Sequence, residues 1–147
     1  MDSTVRIVFP GDLTVAAWKK FLMNSTFCDL LRRVNIFVAP HHGREDGYAP
    51  EVFKICKPDI IIISDKSIMH DTQKVNYSQH TSGILWNGSD IKKSLTTRSD
   101  GAIHIQKTNT GYHVQSGYAY TGIALFKKYA IYYPSWEYYE FLELGYS

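Results

Sequence analysis

Lys57-Pro58-Asp59-Ile60-Ile61-Ile62-Ile63-Ser64 is the stretch on which the fold turns. Successive side chains of a strand point to opposite faces, so four consecutive isoleucines cannot alternate between core and water. This strand must be covered on both sides, as in the interior of an α/β layer fold. Just upstream, Pro50 stands at a first helical position, Val52, Phe53 and Cys56 form an inward face, and Lys57-Pro58 ends that helix. Further back, Val34 to Ala39 reads as a strand stopped by Pro40, preceded by a short amphipathic piece around Phe27, Leu30 and Leu31. The run Val5-Arg6-Ile7-Val8-Phe9 is a third strand, halted by Pro10-Gly11. After it, Asp12 and Thr14 are both placed to cap a helix in which Val15, Trp18, Phe21 and Leu22 recur at three- and four-residue spacing. Asn24-Ser25 breaks that helix. Strands alternating with helices give an α/β layered class.

Downstream of the isoleucines the pattern changes. Asp65 to Gly88 is polar, turn-rich and too long for a simple connection, which predicts a functional or mobile segment, an active-site rim being one reading. Leu95-Thr96-Thr97-Arg98 and Ala102-Ile103-His104-Ile105 flank Ser99-Asp100-Gly101, whose Asp-Gly pair predicts a hairpin. Asn109-Thr110-Gly111 predicts another turn into Tyr112 to Gln115. There is no internal repeat and no low-complexity linker, but the composition shifts at Gly117. Residues 1–117 therefore read as one domain and 118–147 as an aromatic extension packing on it or on a partner. That extension holds Tyr118, Tyr120, Tyr129, Tyr132, Tyr133, Tyr138, Tyr139 and Tyr146, eight of the chain's 11 tyrosines, with Phe126, Trp136 and Phe141 beside Lys127-Lys128. Aromatics among basic groups can stack on nucleic-acid bases, while packing at a wet sheet edge or a subunit interface is the simpler use of the same residues. Ser135 is placed to cap a closing helix through Leu144, stopped by Gly145.

The whole-chain numbers point to an ordinary soluble domain. A chain of 147 residues, 44% apolar and 20% charged, can bury roughly 68–70% of its unfolded surface. A net charge of +2 selects no partner. Cys28 and Cys56 lie far apart outside any CxxC pattern, so free buried thiols in a reducing compartment are expected. Met1-Asp2-Ser3-Thr4 begins no secretory signal and no segment approaches the ~18 apolar residues of a membrane span, which together predict a cytoplasmic protein without a membrane partner.

Two strand ends carry chemistry. Gly11-Asp12 closes the first strand and Pro40-His41-His42-Gly43 closes the second. A carboxylate at a strand-to-helix junction can bridge divalent ions, or simply accept N–H bonds as a cap. An imidazole fixed on a turn after a buried strand loses little freedom on ligation and suits zinc, manganese or iron; the alternative is a turn with two solvent-facing histidines. Among the six histidines, His70, His104 and His113 sit beside turns or in an alternating strand and receive no role.

Phe9-Pro10-Gly11-Asp12-Leu13, Val38-Ala39-Pro40-His41-His42-Gly43, Lys57-Pro58-Asp59-Ile60-Ile61-Ile62-Ile63-Ser64, Asn76-Tyr77-Ser78-Gln79-His80-Thr81-Ser82-Gly83 and Leu95-Thr96-Thr97-Arg98-Ser99-Asp100-Gly101-Ala102-Ile103 occur in that order. Together they resemble the later half of ComEC-type metallo-β-lactamase-fold hydrolases, over residues 5 to about 115. The resemblance implies the second half of an αββα sandwich with metal at one edge of the sheets, and hydrolysis of phosphodiesters or other phosphorylated substrates. It implies Asp12 as the bridging carboxylate and His41 or His42 as the last protein ligand, the other orienting it or touching substrate. His80 then serves as proton donor or anion contact, and zinc is the foremost metal. Family members open with an HxHxDH loop that is not found here. One carboxylate and one or two imidazoles fall short of the three or four protein ligands of zinc sites, so weak or absent metal binding and an inactive isolated chain are expected. The alternative is a non-catalytic remnant or assembly module. A half-sandwich also predicts an uncovered apolar sheet face, hence a homo-oligomer or pairing with a separate N-terminal half.

Overall fold

The isoleucine strand is buried at all four positions, and the rest of the molecule is arranged about it. The computed structural model describes residues 4–65, 71–117 and the strand 137–140. In chain order these form β1 (Ile7–Val8), α1 (Val15–Phe21), α2 (Ser25–Leu31), β2 (Ile36–Val38), β3 (Ile60–Ile63), α3 (Lys74–Ser78), β4 (Ile84–Trp86), β5 (Asp90–Lys92), β6 (Ser94–Thr96), α4 (Thr97–Asp100), β7 (Ile103–Lys107), β8 (Tyr112–Ser116) and β9 (Glu137–Glu140). Between β2 and β3 the chain makes 3-10 turns at Pro40–Gly43, Glu45–Gly47 and Pro50–Lys54. The class is α/β, with one parallel sheet and two small antiparallel ones.

The parallel sheet has the order β1-β2-β3-β6, with Ile36 opposite Ile60, Phe37 opposite Ile61 and Ile62 opposite Leu95. The helical segments of the connections between these strands pack on one face of the sheet, while Ile84 and Trp86 of the β3–β6 connection pack against the other. The helix-covered face carries Phe37, Ile61 and Ile63 and packs on Trp18, Leu31, Val52, Phe53, Cys56 and Tyr77 from the connecting segments. The opposite face carries Ile36, Val38, Ile60, Ile62 and Leu95 and packs on Ile103 and Ile105 of β7. Alternate isoleucines of β3 thus enter two different cores. Their burial contributes on the order of 6–12 kcal/mol before chain entropy is charged against it.

Strands β7 and β8 therefore pack on the face expected to stand bare. Exposed apolar surface on that face consequently gives no reason for a partner. Cys28 and Cys56 are free and buried, and burial pushes the Cys56 thiol up to about 12, which keeps it from acting as a thiolate. No helix among the described residues is long and apolar enough to cross a membrane.

Three local expectations are corrected. The Asp100-Gly101 pair does not turn a hairpin: β6 pairs in parallel with β3, and Thr97–Asp100 is a helical turn ended by Gly101 at φ 73°. Side chains decide this, because Thr96 Oγ1 accepts the Ser99 N–H at 3.1 Å and Asp100 Oδ2 accepts the Thr96 N–H at 2.8 Å. The hairpin lies one strand later, at Asn109-Thr110-Gly111, as expected there. The 65–88 stretch is not all rim, since α3 places Tyr77 fully in the core and β4 starts at Ile84. The closing helix expected from Ser135 to Leu144 is interrupted by β9, which pairs antiparallel with β7. The remainder of the aromatic extension lies outside the described residues.

Candidate functional site

The C-terminal ends of the parallel strands stand side by side. The His41 N–H donates to the Gly11 carbonyl at 2.9 Å, which joins the end of β1, and with it Asp12, to the turn after β2. His41, His42 and Gly43 then occupy three consecutive left-handed conformations, at φ 48°, 56° and 75°. For each histidine this costs about 1–2 kcal/mol, so the surroundings must impose it. They do so through the Gly11 bond, through the Gln73 N–H donating to the Gly43 carbonyl at 2.7 Å, and through the Arg44 N–H donating to the His41 carbonyl at 3.1 Å.

The two imidazoles have different surroundings. His42 Nδ1 lies 2.9 Å from the Ser64 carbonyl at the end of β3. A carbonyl only accepts, so Nδ1 carries the hydrogen and Nε2 keeps its lone pair. An imidazole anchored in this way through one nitrogen is oriented for ligation through the other. His41, by contrast, faces its own loop with both nitrogens. Nδ1 is 2.8 Å from Asp46 Oδ2 but not aligned as a hydrogen bond, and Nε2 is 3.3 Å from the Arg44 guanidinium, which can only donate. His41 stitches the turn together. His42 is the one available to a ligand.

Asp12 is exposed at the β1 end, and the α1 cap is Thr14, whose Oγ1 accepts the Ala17 N–H. At the β3 end stands Asp65, a residue the sequence reading passed over. Its carboxylate is nearly inaccessible and pairs with Arg98 at 2.6 Å. Thr97 Oγ1 accepts the Asp65 N–H and donates to the Asp65 carbonyl, both at 2.7 Å, which locks the ends of β3 and β6 together. One signal was present in the sequence: Ser64-Asp65 follows its strand as Gly11-Asp12 follows β1.

His80 makes its contacts elsewhere. Its ring stacks on Phe53 with centroids 4.3 Å apart and planes 3° from parallel, and Nε2 lies 2.8 Å from the Tyr48 hydroxyl. Desolvation, with a smaller contribution from Lys57, lowers its pKa. These are the contacts of a packed histidine, and none of them reaches Asp12, His41 or His42. His104 is exposed on β7, burial lowers the pKa of His113 on β8, and His70 lies outside the described residues.

Among the described residues no three His, Cys, Asp or Glu side chains gather as a cation would require. Asp12 and His42 offer two donors where catalytic zinc takes three from the protein, so this donor set does not complete the metal centre of a hydrolase. Comparison with protein-family models, curated proteins and solved structures returned no match.

Proposed function

We propose that the chain is the second half of a metallo-β-lactamase-like hydrolase domain, with His42 and Asp12 forming part of a cation site that donors outside this sequence complete. The substrates are phosphodiesters or other phosphorylated compounds, on the strength of the family resemblance. The observation that carries the reading is the orientation of His42: a strained left-handed backbone, Nδ1 fixed on the Ser64 carbonyl, Nε2 left with a lone pair. Strain retained at a polar turn, where glycine would relieve it, is typical of functional positions. With two donors the chain alone binds metal weakly, and no hydrolytic step is assigned to it.

Zinc titration by calorimetry tests this. Asn tolerates the left-handed backbone, so His42→Asn removes the imidazole while sparing the turn. The expected result is weak wild-type binding that falls about tenfold or more in His42→Asn and in Asp12→Asn and persists in His41→Asn. Zinc affinity unchanged in His42→Asn, or lost only in His41→Asn, overturns the assignment, and absence of any zinc binding favours a non-catalytic module.

A further inference from the structure

We infer that the α1–α2 corner is a contact surface for an anionic lipid bilayer. Phe21 at the end of α1 is 45% exposed, Met23 in the connecting turn 87% and Leu30 on α2 59%. The patch is continuous: the Phe21 and Phe27 rings are 5.1 Å apart, and Phe27 and Leu30 are three residues apart on one helix, so they share a face. Charge surrounds it. Lys19, Lys20 and Arg33 are exposed and have no ion-pair partner among the described residues, while Arg32 pairs with Asp29. Residues 19–33 hold four basic groups and one carboxylate, a net +3 against +2 for all 147 residues, so this corner concentrates the positive charge of the chain.

Shape and charge select the occupant. Met23 is 87% exposed in the turn between two helices, and no groove flanks it among the described residues' contacts, whereas a bound peptide or helix needs one. Three partly exposed side chains fall well short of the roughly 800 Å² per partner of a stable protein interface. A second copy meeting this patch about a two-fold axis would set Lys19, Lys20 and Arg33 against their own counterparts. A bilayer interface requires neither a groove nor a large area, because a few apolar side chains enter the acyl boundary while basic ones remain among anionic headgroups. The corner is separated from the Asp12 turn by the length of α1, about 10 Å, so the contact leaves the His42 edge open.

The test is sedimentation of the full chain with phosphatidylcholine vesicles, with and without phosphatidylserine, at low and high salt. Binding is expected to the phosphatidylserine vesicles, to weaken with salt, and to drop roughly tenfold or more in Lys19→Glu/Lys20→Glu and in Met23→Asp. These positions are exposed, so the variants keep the wild-type circular dichroism. Equal sedimentation with both vesicle types, binding indifferent to the substitutions, or binding to polyglutamate but not to phosphatidylserine vesicles overturns the proposal.

Discussion

Gly43→Ala separates backbone strain from packing at the candidate site. At φ 75° an alanine sits in the left-handed region, which costs about 1–2 kcal/mol relative to glycine. Its Cβ would also lie 2.9 Å from Ile63 Cγ2 and 3.4 Å from Ile63 Cδ1. Ile63 is fully buried and cannot swing aside, so the overlap adds about 1–3 kcal/mol. The total is about 2–5 kcal/mol, a substantial part of the stability of a domain this size. Gly88→Ala is the control: φ is 80°, yet nothing lies within 4 Å of the added carbon, so only the backbone cost of about 1–2 kcal/mol remains. Urea denaturation reads both as shifts of midpoint at unchanged slope. In thermal melts Gly43→Ala should fall roughly 5–15 °C and Gly88→Ala less, by the share due to the overlap with Ile63. Because Gly43 follows His42 directly, the displaced turn should also reduce zinc binding as His42→Asn does. Equal losses at the two glycines would refute the claim that the β3 core dictates the conformation of the histidine turn.

The other predictions concern buried and half-buried polar groups. Desolvation, with Lys57, lowers the pKa of His80 below its ordinary 6.5, so just below that pH the unfolded chain binds more protons than the folded chain. Stability present above that pH should therefore be lost progressively as the pH falls below it, and His80→Phe should flatten the dependence of the urea midpoint on pH; an identical slope in the variant refutes the assignment. A buried tyrosine and a half-buried one should respond oppositely to removal of their hydroxyls. The Tyr77 hydroxyl is buried without a partner, so Tyr77→Phe should leave stability unchanged or raise it by up to about 1 kcal/mol. Tyr112 donates to Asp59 Oδ2 at 2.8 Å, so Tyr112→Phe should cost about 1–3 kcal/mol; matched effects in chemical denaturation count against both readings.

What could be read from the sequence was what burial enforces. Ile60 to Ile63 required two covered faces, and the structure supplies helices on one and β7 on the other. The inward positions Val52, Phe53 and Cys56 are buried as their spacing demanded, although the segment winds as a 3-10 turn. Misreadings arose where short-range polar bonds decide. Asp100-Gly101 carries the composition of a hairpin turn, but Thr96 and Asp100 spend their side chains capping a helical one. At the site, the sequence placed Asp12 and His41-His42 at neighbouring strand ends, which follows from topology alone. It could not distinguish the two histidines, because that depends on which ring nitrogen meets Ser64, 22 residues away, and which meets Asp46 and Arg44. Asp65 was missed for the same reason: its partner Arg98 is brought alongside only by the pairing of β3 with β6.

The covered sheet face changes what completing the site would require. If an uncovered core drove association, any apolar surface of the right shape would serve, and losing the partner would unfold the chain. Here Ile103 and Ile105 already pack on that face, so under the proposed function the His42 edge would need donors rather than apolar cover. If the proposed function holds, a polypeptide supplying those donors would approach the rim at Asp12, His42 and the Asp65–Arg98 pair, where charged groups select a partner mainly through orientation and encounter rate. Association of that kind should weaken with salt and strengthen with zinc, whereas association through an apolar face would do neither.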